Sequence, residues 1–181
     1  MQTHISIERL RLFWNLDLRA DGFCMEARQH QPMLAASSLS THFPSINRHR
    51  RTIVIPEIRG DSVLVYIAIY KGEEGNNLKF FFDYFSSDKE KKPMTICFNG
   101  IQLHRSRFIF LHDKKYEEDV PGYWNYRHIR LSGIEANIRR LEISGGECRM
   151  DIARLNAREQ SGFSISDFRS KTTFSKQKLY F

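Results

Sequence analysis

Short runs of β-branched and aromatic residues, each bounded by turn-forming residues, recur along most of this chain and constrain its fold more than any other feature. Arg51-Thr52-Ile53-Val54-Ile55 precedes the turn material Arg59-Gly60-Asp61-Ser62, and Val63-Leu64-Val65-Tyr66-Ile67-Ala68-Ile69-Tyr70 follows it. Lys71 to Asn77 is a second turn region, Leu78 to Phe85 an aromatic strand, and Ser86 to Pro93 a polar loop. Met94-Thr95-Ile96-Cys97-Phe98 then runs to a turn at Asn99-Gly100. Arg107 to Leu111, Ile138 to Ile143 and Arg149 to Ala153 continue the series, with Ser144-Gly145-Gly146 turning between the last two. No amphipathic helix longer than about three turns can be drawn, although the spacing places a short helix at Ile134 to Arg140. The pattern is that of an all-β protein, an antiparallel β-sandwich of two sheets.

The two ends differ from the middle. Leu10, Leu12, Trp14, Leu16 and Leu18 put an apolar residue at every even position, which predicts one strand over Leu10 to Arg19, turned by Asp21-Gly22. Arg28 to Ser45, rich in Gln, His, Ser and Pro, reads as a connection with little core. Beyond Leu155 the chain is polar and basic, with Phe163, Ile165, Phe168 and Phe174 as isolated anchors, and is expected to be only partly ordered. A length of 181 residues suits one domain with extensions. The expected division is an N-terminal extension with a strand (1–46), a β-sandwich domain (47–155) and a basic C-terminal tail (156–181).

Composition excludes several classes. An apolar content of 41% with 13% aromatics is incompatible with collagen or a wholly disordered chain. Charged residues at Glu8, Arg9, Arg11, Asp17 and Arg19 leave no apolar core for a signal peptide, so synthesis in the cytoplasm is expected. Cys24, Cys97 and Cys148 are odd in number, far apart and without metal spacing, and read as buried thiols. No nucleophile elbow, glycine-rich phosphate loop, HExxH or acidic metal loop occurs, so neither an enzyme nor a cofactor or metal is expected. His104 and His112 could fall near one another on adjacent strands, or be simply surface polar residues, and carry no catalytic assignment.

The net charge of +7 favours anionic partners. Arg48-His49-Arg50-Arg51, Lys89-Glu90-Lys91-Lys92 and Arg105-Ser106-Arg107 are clusters that could meet phosphates, or simply solvated loop charges. The run Phe80-Phe81-Phe82-Asp83-Tyr84-Phe85 puts rings on both faces of its strand, for a second buried face or a binding surface.

The order Arg51 to Ile55, Val65 to Ile69, Leu78 to Phe85 and Ile96 to Gly100 resembles the first half of a galectin carbohydrate-recognition domain. Tyr126-Arg127-His128, Ile138 to Gly146 and Met150-Asp151-Ile152 resemble its closing strands, so the likeness spans roughly residues 47 to 155. Galectins bind β-galactosides through an H-x-N-P-R strand, a downstream Asn and a W-G-x-E-x-R segment. Laid on that pattern, this chain has Phe81 at the His position, Asp83 at Asn, Tyr84 at Pro and Phe85 at Arg. Asn99 matches the downstream Asn, Gln102 stands for Trp, Arg105 for Glu, and Arg107 matches the last Arg. A second register makes Ile96 to Gly100 a later strand and loses that segment altogether.

The resemblance therefore implies a divergent galectin-like binding module with the galactose site altered or lost, and with non-classical export if it is a true galectin. Its candidate carbohydrate-binding residues are Asp83, Asn99, Gln102, Arg105 and Arg107, for a glycan or protein ligand that Arg105 and Arg107 would suit to negative charge. The alternative from composition is a basic structural or interaction protein, for example a viral structural component, that binds nucleic acid or an anionic membrane surface.

Overall fold

The computed structural model describes residues 4–26, 31–72, 75–77, 79, 94–113, 118–120, 122–145, 147–175 and 179–180. The all-β class expected from the turn-bounded runs is the class observed. The strands are β1 (His4–Leu12), β2 (Asp17–Glu26), β3 (Pro32–His42), β4 (Ser45–Asn47), β5 (Thr52–Asp61), β6 (Leu64–Ile69), β7 (Thr95–His112), β8 (His128–Ser144), β9 (Glu147–Glu159), β10 (Ser164–Ser175) and β11 (Leu179–Tyr180). They share one hydrogen-bonded sheet in the order β1-β2-β3-β5-β7-β8-β9-β10-β11, with β4 beside β5 and β6 between β3 and β7. All pairings are antiparallel except those of β5 and β6 with β7. No helix among the described residues is long and apolar enough to cross a membrane.

Several expectations are corrected. The alternation from Leu10 to Arg19 spans a hairpin, not one strand: Phe13 donates to the Asp17 carbonyl at 2.9 Å, and Leu16 adopts φ 65°. The reversal sets Leu12 opposite Leu18 and Leu10 opposite Ala20, so even-numbered residues stay on one face and the period looks unbroken. Asp21-Gly22 does not turn; it lies inside β2, where the Glu8 side chain fills the space a Cβ at Gly22 would need. The supposed connection before Ser45 is largely β3, and Met33 and Ala36 in it belong to the core. Alanine and serine hid the strand from a propensity reading, and its neighbours in the sheet decide its state.

Farther on, β5 runs through Gly60 without reversing, and β7 is one strand of 18 residues that passes straight through Asn99-Gly100. The short helix expected at Ile134 to Arg140 is part of β8, because a spacing of four also keeps Ile134 and Ile138 on one strand face. The tail is ordered over most of its length: β9 continues to Glu159, and β10 pairs along it. The expected aromatic strand to Phe85 and the polar loop to Pro93 lie outside the described residues.

A line of irregularities crosses the sheet. Ser62 (φ 52°), Arg105 (φ 49°), Gly133 (φ 57°) and Asp167 (φ 53°) adopt left-handed backbone on β5–β6, β7, β8 and β10. The β7–β8, β8–β9 and β9–β10 registers all shift at this level. Bulges bend strands and raise their twist, which long ladders of this kind need. Val63, folded back over Gly60 with Leu39 and Leu103 alongside, is only 5% exposed. A Cβ at Gly60 would stand 2.5 Å from the Val63 methyl, so this approach requires glycine.

Ser106, 1% exposed, ties the bulges together: its hydroxyl accepts from the Val63 N–H at 3.2 Å and donates to the His104 carbonyl at 3.0 Å. Ser106→Ala strands a buried donor and is expected to lower unfolding free energy by about 1–3 kcal/mol in denaturant melts. Ser132→Ala, at an exposed hydroxyl on β8, is expected to stay within about 0.5 kcal/mol. Equal effects of the two would contradict this role for Ser106.

Candidate polar groove across five strands

Beside the bulges, one face of the sheet carries an open groove of about 680 Å³, lined from β3, β5, β7, β8 and β9. Its floor is two rows of side chains set by register. Ser40, Arg59, Gln102, Asn137 and Arg154 form the first row. Ser38, Asp61, His104, Glu135 and Asn156 form the second. The opposite face at this level is apolar: Leu39, Gly60, Leu103, Ala136 and Leu155 lie abreast, next to Ile58, Ile101, Ile138 and Ile152. Strict alternation along the strands produces this contrast.

The second row is held by ionic contacts. Arg105 clasps Asp61 with both arms, Nη2 to Oδ2 at 2.7 Å and Nε to Oδ1 at 3.1 Å. His104 sits between carboxylates, its Nδ1 3.2 Å from Asp61 Oδ1 and its Nε2 3.5 Å from Glu135 Oε1. The hydrogen bond from Arg105 holds the Asp61 carboxyl below its ordinary 3.8, against a weaker upward effect of burial, and His104 and Ser62 add to the lowering. Asp61 is thus an anion already committed to Arg105. These groups form no metal-ligating set of three among the described residues.

Gln102 and Asn137 differ from their neighbours. They are paired across β7 and β8 and exposed, and no hydrogen bond or ion pair engages their amides among the described residues. Arg59 pairs with Glu57 at 2.7 Å, and Arg154 approaches Asp167 at 3.7 Å. The groove continues toward the β1–β2 turn through a second cavity of about 520 Å³ that shares Ser40 and Arg59 and includes Trp14, which is 97% exposed.

Of the residues named from sequence, Gln102 lines the groove, and Arg105 stands at its rim through Asp61. Asn99 lies an odd number of residues from Gln102 in a stretch of unbroken register, so it faces the other side, where it accepts from the Cys97 thiol. Arg107 is beyond the bulge, exposed, and in no ion pair among the described residues. Asp83 lies outside the described residues. His104 and His112 do not meet: both are on β7, about 26 Å apart along the strand. Ser38, Ser40, Arg59, Asn137 and Arg154 were not anticipated; only strand register identifies them.

At the far end of β8 a polar cluster around the buried His128 and Glu159 anchors the loop before that strand. Arg130 Nε donates to His128 Nε2 at 2.8 Å, which leaves the His128 proton on Nδ1, 2.7 Å from Asp119 Oδ2. Asn125 and Gln160 also donate to Asp119, and Ser161 and the Arg130 N–H bond Glu159. The anchored loop presents Tyr123, Tyr126 and Trp124, the last stacked on Phe163 with centroids 4.9 Å apart.

Burial alone would raise the Asp119 and Glu159 carboxyls. The hydrogen bonds of Asn125, Gln160 and His128 outweigh it at Asp119, as do those of Ser161, Arg130 and Gln160 at Glu159. The two groups lie below their ordinary 3.8 and 4.5. Folded, they bind fewer protons than unfolded, so their stabilisation is complete above those values and is lost as pH falls through and below them. Thermal melts from neutral to acid pH should fall in that range, and Asp119→Asn should flatten the fall; an unaltered slope would speak against it.

Neither a scan of protein-family models nor a search of characterised proteins finds a match to this chain.

Proposed function

We propose that the protein is a non-enzymatic binding module, of divergent galectin-like character, that takes a glycan along the polar groove. One observation carries this reading: the facing amides of Gln102 and Asn137 offer donors and acceptors to a ligand and have no structural duty among the described residues. Planar amides flanked by Arg59 and Arg154 match the mixed donor and acceptor character of sugar hydroxyls. The lining is charge-balanced, since Asp61 and Glu135 oppose Arg59 and Arg154. That balance favours a neutral polar ligand over a phosphate backbone, so the net charge of +7 is not concentrated here. The long strands, bent at their bulges, are taken as the two layers of a galectin-like sandwich. Galactose specificity is not carried over.

A screen of neutral and sulfated oligosaccharides on the full chain is expected to give saturable binding, with lactose absent from the binders. Gln102→Ala combined with Asn137→Ala should weaken the best binder by at least about tenfold, one lost hydrogen bond to sugar being worth roughly 1 kcal/mol or more. Arg107→Ala, beyond the bulge and outside the groove, should leave a neutral glycan nearly unaffected. Binding confined to RNA or anionic vesicles and abolished by salt would replace this reading with the nucleic-acid or membrane alternative.

A further inference from the structure

β1 leaves its outer edge open. Among the described residues it pairs with β2 alone, in one unbroken register from His4 opposite Glu26 to Leu12 opposite Leu18. Every residue in it is exposed, including Ile5 (56%) and Ile7 (42%) on one face and Leu10 (63%) and Leu12 (59%) on the other. An edge of free N–H and C=O groups accepts another strand unless proline, bulges or brevity prevent it. β10, toward the opposite side of the sheet, has such a defence: Asp167 is left-handed, and the register slips on both sides of Phe168. β1 contains neither bulge nor proline.

The strand is also complementary to itself. In the segment His4-Ile5-Ser6-Ile7-Glu8, antiparallel pairing about a two-fold axis at Ser6 sets His4 against Glu8 of a second copy and Ile5 against its Ile7. Symmetry repeats both contacts, and an axis normal to the sheet keeps the isoleucines on one face. Axes at Glu8 or Arg9 would oppose like charges, which destabilises cross-strand pairs.

The exposed area agrees with a missing neighbour. The chain exposes 12513 Å², whereas a compact monomer of its 21.4 kDa exposes about 9,100 Å². The surplus of about 3,400 Å² belongs to the chain as a whole, and the β1 edge is one part of it.

We propose that the protein forms a two-fold homodimer in which the β1 strands of two copies pair antiparallel about Ser6, extending one sheet across both. The ladder is short, so the association is reversible and concentration-dependent. Sedimentation velocity of the full chain over a wide concentration range should show a monomer–dimer equilibrium that Ile5→Lys with Ile7→Lys weakens by about tenfold or more. Glu8→Lys should weaken it too, while the exchange His4→Glu with Glu8→Lys should restore it, a rescue that mere unfolding would not give.

Ser6→Cys, made with Cys24→Ser because Cys24 is the partner of Ser6 on β2, should cross-link two copies on oxidation, and Leu10→Cys in the same background should not. A chain that stays monomeric at every concentration overturns the proposal and leaves the edge to an extended segment of another protein. So does a dimer whose affinity none of these variants changes, or one that cross-links at Leu10→Cys and not at Ser6→Cys.

Discussion

Where a β-ladder bulges, a backbone N–H loses its partner, and this protein supplies a side chain in its place. The Val63 N–H goes to Ser106 Oγ at 3.2 Å, that of Arg105 to Glu135 Oε1 at 3.0 Å, and that of Asp167 to Asn156 Oδ1 at 2.7 Å. For the buried Val63 N–H, going without an acceptor would cost about 1–3 kcal/mol, so Ser106 is the acceptor on which the irregular line depends most; Arg105 and Asp167 are exposed. Around that line lie Val63, Ile134 and Ser106, among the most buried residues of the chain.

The same substitution contributes to the polarity of the groove. Glu135 and Asn156 serve the bulges, and Asp61 neutralises the left-handed Arg105, so three of the polar side chains in the groove are structural requirements of the bend. Gln102 and Asn137 stand outside that requirement. The contrast with the band of isoleucine and leucine behind them shows one sheet with two chemistries, set by alternation alone.

Strand class was legible from the sequence because β-branched runs announce themselves, as in Thr52 to Ile55 and Leu64 to Ile69. Turns were less so. Asp21-Gly22 and Asn99-Gly100 carry turn chemistry, yet lie within strands, Gly22 serving the close approach of Glu8. Conversely, the real reversal at Phe13 to Leu16 falls inside an alternating run whose parity it preserves. The groove was mostly hidden for a different reason. Ser40, Arg59, Gln102, Asn137 and Arg154 are dispersed along the chain and meet only through a register that combines parallel and antiparallel neighbours. Gln102 entered through a family likeness, and nothing in its own surroundings in the sequence marks its partners.

The parallel pairing of β5 and β6 with β7 has a consequence for the order in which the chain assembles. From β7 to β10 each strand pairs with its predecessor, so these ladders close short loops one after another. Contacts between the β5–β6 strip and β7 join residues 43 positions apart, as between Asp61 and His104. Closing that loop instead of a hairpin of a few residues costs on the order of 2 kcal/mol more chain entropy before any contact compensates for it. Distant contacts of this kind slow folding, so the joining of β5 to β7 is expected to follow the local hairpins on either side of it. The groove, which needs strands from both groups, is then among the last parts of the molecule to exist.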